Sequence, residues 1–398
     1  MNEHRKISDE YALLYLQDIG SLGDTIAEFE GSFINCFGGI PGEKVIARIF
    51  RYRRRRQRFV SAIVSEVMIP SKHRVQAPCT YFGECTGCQW QHIEYEYQLQ
   101  LKKESITKEF NGFDSLASVK ISEVLPALHQ FEYRNHARFT VRRNGQVGYV
   151  NRLTRRFIPV RNCMLMTPWI NQALSKLQDI KPDTSQISVR YGINTGDSLV
   201  QPSIGNETIQ SGQTHYRENL LGNIFRVGSP SFFQVNTVQA ERLAEVILSR
   251  IEFKGDEILI DAFAGVGTFS ILFAKYVEKV VSIEESPSAI EDAKFNMSDI
   301  ENIEIIQGKT EILLEEIDYA PNIVILDPPR AGCHEKVLLS LVKCKAAKVV
   351  YVSCDPSTLA RDLDILIGGG FSIDFVDPVD MFPQTYHVEC VVTLSRSI

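Results

Sequence analysis

The chain has 398 residues, a length that suggests two or three domains and allows a large hydrophobic core. Hydrophobic residues make up 44% and charged residues 23%, as in ordinary globular proteins, and the net charge of −6 excludes a nucleic-acid partner held by overall charge alone. The charged N-terminus and the lack of an apolar run of about 18 residues indicate neither a secretion signal nor a membrane span. We therefore expect a cytosolic protein without a membrane partner.

Short apolar segments separated by turn signals extend from about residue 9 to residue 67, and this pattern predicts a small β-barrel. Within it, six arginines are interleaved with two aromatic residues between residues 51 and 59. Such a run either forms a solvated hairpin or contacts the phosphates and bases of RNA. On a small barrel of an acidic protein we favour RNA binding, and the candidate contacts are Arg53, Arg54, Arg55 and Arg56.

A group of cysteines follows the barrel. Cys79, Cys85 and Cys88 lie within ten residues of one another, and Cys163 is a candidate fourth ligand. In a reducing compartment, clustered thiols are metal ligands more often than disulfides, and four thiolates hold either zinc or an iron-sulfur cluster. Their spacing differs from that of radical S-adenosylmethionine enzymes, so radical chemistry is not expected. A helix is predicted over about 94–110, and a strand-rich basic region follows it.

Helices and buried strands alternate after about residue 224, which predicts parallel βα units and a doubly wound sheet. One strand ends at Asp261 and leads into a turn with Gly265 and Gly267, and the next strand ends at Glu284. The glycines allow a ligand to approach the backbone, and Glu284 can accept ribose hydroxyls. A dinucleotide site would have a third glycine where this chain has Ser270. Asp261 favours a cofactor with a cationic amino-acid group, such as S-adenosylmethionine.

Three further residues at strand ends predict the chemistry. Asp327 precedes two prolines that hold its carboxylate in the cleft, and Cys354 precedes a helix whose N-terminus is expected to favour the thiolate. A thiolate that adds to C6 of uracil makes C5 able to attack the methyl group of S-adenosylmethionine, and a base must then remove the C5 proton. Glu389, at the start of the last apolar strand, is the candidate base.

Two other functions fit parts of this pattern. An amine methyltransferase would use the segment Asp327 to Arg330, although such enzymes typically have an aromatic residue in place of Arg330. A non-catalytic RNA-binding protein with a vestigial fold is the second alternative. The presence of Cys354, Glu389 and the glycine turn in one chain argues against the second alternative, whereas an amine methyltransferase would remain active without Cys354.

Four segments carry a resemblance to a known family: residues 231–236, 327–332, 352–362 and 380–389. Together they resemble the RNA uracil-5-methyltransferases, which form 5-methyluridine in ribosomal or transfer RNA. The resemblance implies Cys354 as nucleophile and Glu389 as base. It also implies that the following residues are cofactor or active-site contacts: Gln234, Gly265, Glu284 and Asp327. Gln384 stands where the family commonly has histidine, and Lys309 lies near the position that contacts adenine.

The N-terminal half resembles one branch of this family. Residues 31–67 are similar to a TRAM RNA-binding barrel, and the branch carries a [4Fe-4S] cluster, which implies that Cys79, Cys85, Cys88 and Cys163 hold one here. We therefore expect three domains: a TRAM/OB-like β-barrel (1–70), a central iron-sulfur α+β domain (71–225) and a Rossmann-like α/β methyltransferase domain (226–398). The helix at 94–110 is expected to pack on the last of these.

The expected substrate is a uridine of 23S ribosomal RNA or of the T-loop of transfer RNA, and the sequence does not choose between them. The uridine must leave its stack to meet a buried thiolate. Phe232 or Phe233 is a candidate to stack on the extruded base. We expect a monomer.

Overall fold

The computed structural model describes residues 10–54, 57–180, 183–205 and 208–396, and for residues 52–54 and 57 it describes the backbone only. Arg53 and Arg54 lie in a strand, whereas Arg55 and Arg56 lie outside the described residues. Their contact with RNA therefore stays a prediction. Within the described ranges, no helix combines the length and the apolar character that a membrane crossing requires.

Five strands close a barrel at the N-terminal end, in the order β1-β2-β3-β5-β4. Their bounds are Tyr11–Ile19 (β1), Thr25–Phe29 (β2), Ser32–Phe37 (β3), Lys44–Arg54 (β4) and Gln57–Ile69 (β5). Side chains alternate across each strand, so Leu14 and Leu16 of β1 meet Val45, Ala47 and Ile49 of β4 in the barrel core. The predicted N-terminal barrel is confirmed.

The middle of the chain combines helices with antiparallel strands. A five-stranded sheet has the order β10-β9-β6-β7-β8, and a two-stranded sheet pairs β11 with β12. The bounds are Tyr95–Phe110 (α1), His136–Val141 (β6), Val147–Val150 (β7), Phe157–Pro159 (β8), Pro168–Leu177 (α2), Gln186–Tyr191 (β9), Ser198–Gln201 (β10), His215–Leu220 (β11) and Asn223–Gly228 (β12).

Helix α1 does not join the sheet that follows it in the chain. Its buried residues Ile106 and Phe110 belong to the same hydrophobic cluster as Leu359 and Leu363, which lie in the last helix of the protein. The middle of α1 contacts the segment after residue 379 through Lys102, which pairs with Asp380. The helix thus lies against the C-terminal part of the chain.

A seven-stranded sheet forms the C-terminal part, in the order β15-β14-β13-β16-β17-β19-β18. Its elements are Thr237–Arg250 (α3), Ile258–Asp261 (β13), Thr268–Ala274 (α4), Lys279–Glu284 (β14), Pro287–Asn296 (α5), Ile303–Gln307 (β15), Thr310–Leu313 (α6), a 3₁₀ turn at Leu314–Glu316, Ile323–Leu326 (β16), Glu335–Lys343 (α7), Lys348–Ser353 (β17), Pro356–Gly368 (α8), Phe371–Val379 (β18) and Glu389–Arg396 (β19).

The first five strands of this sheet are parallel, and β19 runs antiparallel to both of its neighbours. The chain order reverses between β13 and β16, and a doubly wound sheet binds ligands at the carboxyl ends of its strands beside such a reversal. Asp261 ends β13 and Asp327 follows β16, so both carboxyls lie at that place. The predicted Rossmann-like fold is confirmed.

Candidate active site

The glycine turn after β13 has an open face. Gly265 has φ of +57°, and a Cβ built there would meet nothing within 4 Å, so a ligand can approach this backbone. Gly267 has φ of +92° and precedes α4, where a Cβ would lie 2.0 Å from a carbon of Met297. The two glycines therefore serve different needs, because one leaves space for a ligand and the other allows close packing.

Two carboxylates hold this turn in place. Asp261 is fully buried and accepts hydrogen bonds from the backbone N (2.9 Å) and hydroxyl (2.7 Å) of Ser270, while its Oδ1 is buried without a protein partner. Glu284 accepts from the backbone N–H groups of Gly265 (2.9 Å) and Ser286 (2.6 Å). A carboxylate has about four acceptor positions, so both residues keep capacity for a ligand.

The carboxyls around the pocket raise one another's pKa. Burial raises the pKa of Asp261 to about 6, and Glu284 adds to this effect. Burial, followed by the charge of Asp261, raises the pKa of Asp327 to about 7. Buried carboxylates close together repel one another and are stabilised by a nearby cation. The pocket therefore suits a positively charged ligand.

Cys354 and Glu389 lie at the same edge of the sheet. Strands β17 and β19 pair antiparallel up to Ser353 opposite Cys390, and Cys354 and Glu389 are the next residues beyond this pair. The two side chains are close enough for the charge of Glu389 to act on the thiol of Cys354. The two residues that sequence analysis assigned to nucleophile and base are therefore neighbours, although they are 35 positions apart in the chain.

The expectation that the helix N-terminus favours the Cys354 thiolate is wrong for this structure. The carboxylate of Asp355 caps α8 by accepting from the backbone N of Ser357 (3.1 Å) and Thr358 (3.2 Å). Burial and then the charge of Glu389 raise the pKa of the Cys354 thiol to about 11. Sequence analysis identified the helix but not the negative groups around the thiol.

Glu389 is buried, with 8% of its surface exposed. Its pKa is raised well above the usual range by burial and then by Asp327, whereas Arg330 lowers it. Arg330 also opposes the raised pKa of Cys354. A carboxylate with a raised pKa is a stronger proton acceptor than one in water, which suits Glu389 to general-base catalysis.

A cavity of about 330 Å³ opens in front of Cys354, between the barrel and the C-terminal sheet. The guanidinium of Arg330 lies 3.3 Å from both ring nitrogens of His387, and these two residues line the cavity with Tyr386. The barrel contributes residues 18–21 to the opposite wall. Sequence analysis missed His387, since a lone histidine in a loop carries no signal of its own.

The barrel wall is held close to the C-terminal part by a glycine. Gly23 has φ of +76°, and a Cβ there would lie 2.4 Å from the ring of Tyr386. The carbonyl of Gly23 accepts a hydrogen bond from Nε1 of Trp90 at 2.8 Å. Since both partners lie outside the barrel, this turn fixes the barrel against the cavity.

The two phenylalanines before α3 differ in their exposure to solvent. Phe232 is 70% exposed, whereas Phe233 is 5% exposed and packs on Phe225 with ring centroids 5.6 Å apart. Only Phe232 therefore remains available to an extruded base. Gln234 follows them and is partly buried. Its backbone carbonyl accepts a hydrogen bond from Nδ2 of Asn135 at 3.2 Å.

The outer face of β1 carries aromatic residues that sequence analysis missed. Tyr11, Leu13 and Tyr15 are all more than half exposed on alternate positions of the strand. The ammonium of Lys44 lies 5.1 Å from the centre of the Tyr15 ring. Alternation in the sequence of β1 was the available signal, since a barrel strand exposes every second side chain.

The four candidate ligand cysteines line one cavity of about 340 Å³. Tyr149 lines the same cavity, and its hydroxyl is buried without a hydrogen-bond partner. Among the described residues, no three histidine, cysteine or acidic side chains are arranged to hold a single metal ion. All four cysteines are free thiols. The structure thus brings them to one cavity but does not show a metal site.

Three comparisons with known proteins address the family. The family model for tRNA (uracil-5-)-methyltransferases matches residues 217–397. An uncharacterized RNA methyltransferase of Listeria innocua is 31% identical over the full length of both chains. Another, from a Nostoc species, is 30% identical over 96% of this chain and 95% of its own.

A solved structure shares the fold. The tRNA (uracil-54, C5)-methyltransferase of Pyrococcus abyssi, in complex with S-adenosyl-L-homocysteine, superposes with a TM-score of 0.76 at 24% identity, over 96% of this chain and 100% of that one. At this identity the likeness concerns the fold alone. On the family model and the full-length relatives, the chain belongs to the RNA uracil-5-methyltransferase family and is an S-adenosylmethionine-dependent RNA methyltransferase.

Proposed function

We propose that the protein methylates C5 of a uridine in RNA through a covalent bond between Cys354 and C6. The observation that carries the proposal is the pairing of β17 with β19, which ends one residue before Cys354 and Glu389 at the same edge of the sheet. Methylation at C5 requires a nucleophile on one atom of the ring and a base for the neighbouring atom. This pair supplies both.

The reaction begins with transfer of the thiol proton of Cys354 to a solvent water molecule. The raised pKa makes this step unfavourable in the free protein, and the Arg330 guanidinium is the cation that opposes the rise. The thiolate then adds to C6, and the electron pair moves to C5 and O4. S-adenosylmethionine, when bound, supplies a methyl group that C5 takes, with S-adenosylhomocysteine as the leaving product.

Glu389 completes the reaction. Its carboxylate removes the proton from C5, the electron pair restores the C5–C6 double bond, and the bond from C6 to the sulfur of Cys354 breaks. Glu389 must therefore be deprotonated when the methylated ring is in place. The positive charge that a methyl donor brings to the pocket lowers the pKa of the surrounding carboxyls, because opposite charges favour the ionised form.

The methyl donor is proposed to lie at the open glycine turn. Glu284 has acceptor positions for two ribose hydroxyls, and Oδ1 of Asp261 is buried without a hydrogen-bond partner. Asp327 adds a negative charge at the same edge of the sheet. Gln234 is included on the family resemblance.

RNA is proposed to reach the site across the barrel and over Phe232. The exposed ring of Phe232 can stack on an extruded base, and base stacking on an aromatic ring contributes about 1–3 kcal/mol. On the barrel, the candidates are the predicted arginines 53–56 together with Tyr11 and Tyr15. These contacts recognise phosphates and ring faces, so they fit either ribosomal or transfer RNA.

The central part, residues 71–225, is proposed to hold a [4Fe-4S] cluster through Cys79, Cys85, Cys88 and Cys163. Four thiolates on one zinc would lie within about 4 Å of one another, since each Zn–S bond is about 2.3 Å. The cluster attaches each thiolate to a different iron, and so needs a wider cavity. The cavity of about 340 Å³ and the orphaned hydroxyl of Tyr149, which can donate to a sulfur, support the larger group.

The covalent mechanism is tested with RNA that contains 5-fluorouridine. Fluorine at C5 cannot leave as a cation, so the enzyme, S-adenosylmethionine and this RNA are expected to form an adduct that survives a denaturing gel. Cys354→Ala is expected to form none, and Cys344→Ala, a partly buried cysteine outside the site, serves as the control. Methylation by Cys354→Ala would instead support an amine methyltransferase and end the proposal.

The cluster and the substrate need separate experiments. Protein purified without oxygen is expected to contain about four irons and four sulfides per chain. Cys163→Ser is expected to lose them and Cys344→Ser to keep them. For the substrate, mass mapping of 5-methyluridine in ribosomal and transfer RNA from cells with and without the protein identifies the modified position.

A further inference from the structure

The segment 380–388 connects β18 to Glu389 and contains neither helix nor strand. Five successive carbonyl oxygens of this segment nevertheless accept hydrogen bonds from other parts of the chain. The pairs are Asp380 with Gln239 (3.1 Å), Met381 with Asn236 (3.1 Å), Phe382 with Lys102 (3.2 Å), Pro383 with Tyr133 (3.1 Å), and Gln384 with the backbone N of Gln89 (3.2 Å) and Trp90 (3.1 Å). A loop with this many external donors is held in one conformation.

Gln384 is the most constrained residue of the segment. It is 3% exposed and has φ of +69°, a left-handed conformation that residues other than glycine rarely adopt. Such a conformation persists where the surroundings over-determine it, and these sites cluster around active sites.

Gln98 of α1 is the side chain that holds Gln384. Its Oε1 accepts from the backbone N of Gln384 at 3.0 Å, and its Nε2 donates to the Gln384 side-chain oxygen at 3.1 Å. The same Nε2 donates to the carbonyls of Trp90 (3.1 Å) and Ile93 (2.9 Å). Gln98 is fully buried. The side-chain amide of Gln98 therefore joins α1, the residues that follow Cys88 and the segment that leads to Glu389.

We propose that Gln98 is a positioning residue for the general base, acting through Gln384 on the segment that ends at Glu389. This inference rests on the proposed role of Glu389. A base must lie within about 2.6–3.2 Å of the proton that it removes, and a misplacement of about 1 Å costs roughly 100-fold in rate. Cys354 follows β17 and is not part of the segment, so the thiol itself is expected to keep its place when Gln98 is lost.

Loss of Gln98 is therefore expected to slow the removal of the C5 proton without slowing the steps before it. Addition of the thiolate and methyl transfer proceed, but removal of the C5 proton slows, and the methylated RNA stays bound to the enzyme. A merely structural role predicts a different result, namely weaker binding or less folded protein without accumulation of this species. The discriminating signal is thus a covalent adduct with ordinary uridine RNA.

The test compares Gln98→Ala with Gln100→Ala. Gln100 lies on the same helix, and its amide bonds only to the exposed Glu104. With ordinary RNA and S-adenosylmethionine, Gln98→Ala is expected to lose roughly 10- to 100-fold in kcat with little change in KM. A denaturing gel is expected to show its adduct, with no such band for wild type or Gln100→Ala.

A second variant covers the case in which Gln98→Ala folds poorly. Gln384→Gly removes the side-chain partner while glycine readily adopts φ of +69°, so the fold is expected to be retained. It should give the same adduct with a smaller fall in kcat, because the hydrogen bond from the backbone N of residue 384 to Gln98 remains. Normal turnover in a folded variant, or a loss of activity without adduct, would overturn the inference. If wild type forms no adduct even with 5-fluorouridine RNA, the proposed function fails instead.

Discussion

Lys102 and Asp380 form an ion pair in which neither side chain is exposed to solvent. The ammonium donates to Asp380 at 2.5 Å and to the carbonyl of Phe382 at 3.2 Å. Asp380 also accepts from the hydroxyl of Tyr95 at 2.9 Å and from the backbone N of Phe382 at 3.2 Å. Lys102→Met removes the positive charge and fills its volume with an apolar chain of similar length.

The expected loss follows from the charge that is left behind. Breaking a buried ion pair by removing one partner costs about 3–5 kcal/mol in the free energy of unfolding, since the other charge stays buried. Tyr95 and the Phe382 backbone continue to bond to Asp380, so we expect a loss of about 3 kcal/mol for Lys102→Met. The double variant with Asp380→Asn is expected to recover about half of it, because no uncompensated charge remains.

The neighbouring Lys103 provides the matched control. It pairs with Glu123, whose side chain is 89% exposed, and exposed pairs contribute about 0–1 kcal/mol. Urea unfolding followed by tryptophan fluorescence measures both variants, and the Trp90 ring lies 6.0 Å from the Lys102 ammonium and reports on that site. If Lys102→Met were no more destabilised than Lys103→Met, the reasoning about this buried charge would be wrong.

Further predictions concern the cofactor pocket, the barrel and the nucleophile. The raised pKa of Asp327 is about 7, so this carboxylate loses its negative charge as the pH drops below about 7. Affinity for S-adenosylmethionine, whose sulfur is positively charged, should then fall more steeply than affinity for S-adenosylhomocysteine, whose sulfur is uncharged. Calorimetry measures both, and parallel falls would refute the charge argument. Gly23→Ala should weaken RNA binding and leave cofactor binding unchanged, because its Cβ meets Tyr386 at 2.4 Å, whereas Gly31→Ala, also at positive φ but with open space, should not. Arg330→Gln should slow iodoacetamide alkylation of the nucleophilic thiol at fixed pH, because the cation that opposes its raised pKa is gone; an unchanged rate would contradict this.

Features that depend on residues close together in the chain could be predicted from the sequence. The glycine turn and the carboxylates Asp261, Glu284 and Asp327 were predictable, since each follows a short apolar strand and parallel strands present their carboxyl ends at one edge. The barrel was predictable for a similar reason, because turn signals recur at short intervals between its strands.

Features that depend on long-range contacts were not predictable. The pKa of Cys354 was expected to fall, but burial and then the charge of Glu389 on the adjacent strand raise it. The contact between Gln98 and Gln384 joins residues 286 positions apart, and neither residue carries a charge or a motif that would indicate it. The exposure of Phe232 and the burial of Phe233 likewise depend on packing that the sequence pattern does not contain.

The five bonded carbonyls of the segment 380–384 also determine when the enzyme becomes complete during synthesis. Their donors lie between residues 89 and 239, so the ribosome has made every one of them before the segment emerges. The part of the chain made earlier is thus a template on which the last loop is formed, and the donors to the carbonyls of residues 382–384 lie between residues 89 and 133. A truncated protein that begins at residue 226 keeps the donors Asn236 and Gln239 but loses these others. It should therefore form its sheet and bind S-adenosylmethionine yet leave Glu389 poorly positioned, and a foreign N-terminal half should not restore activity unless it carries the donors to residues 382–384.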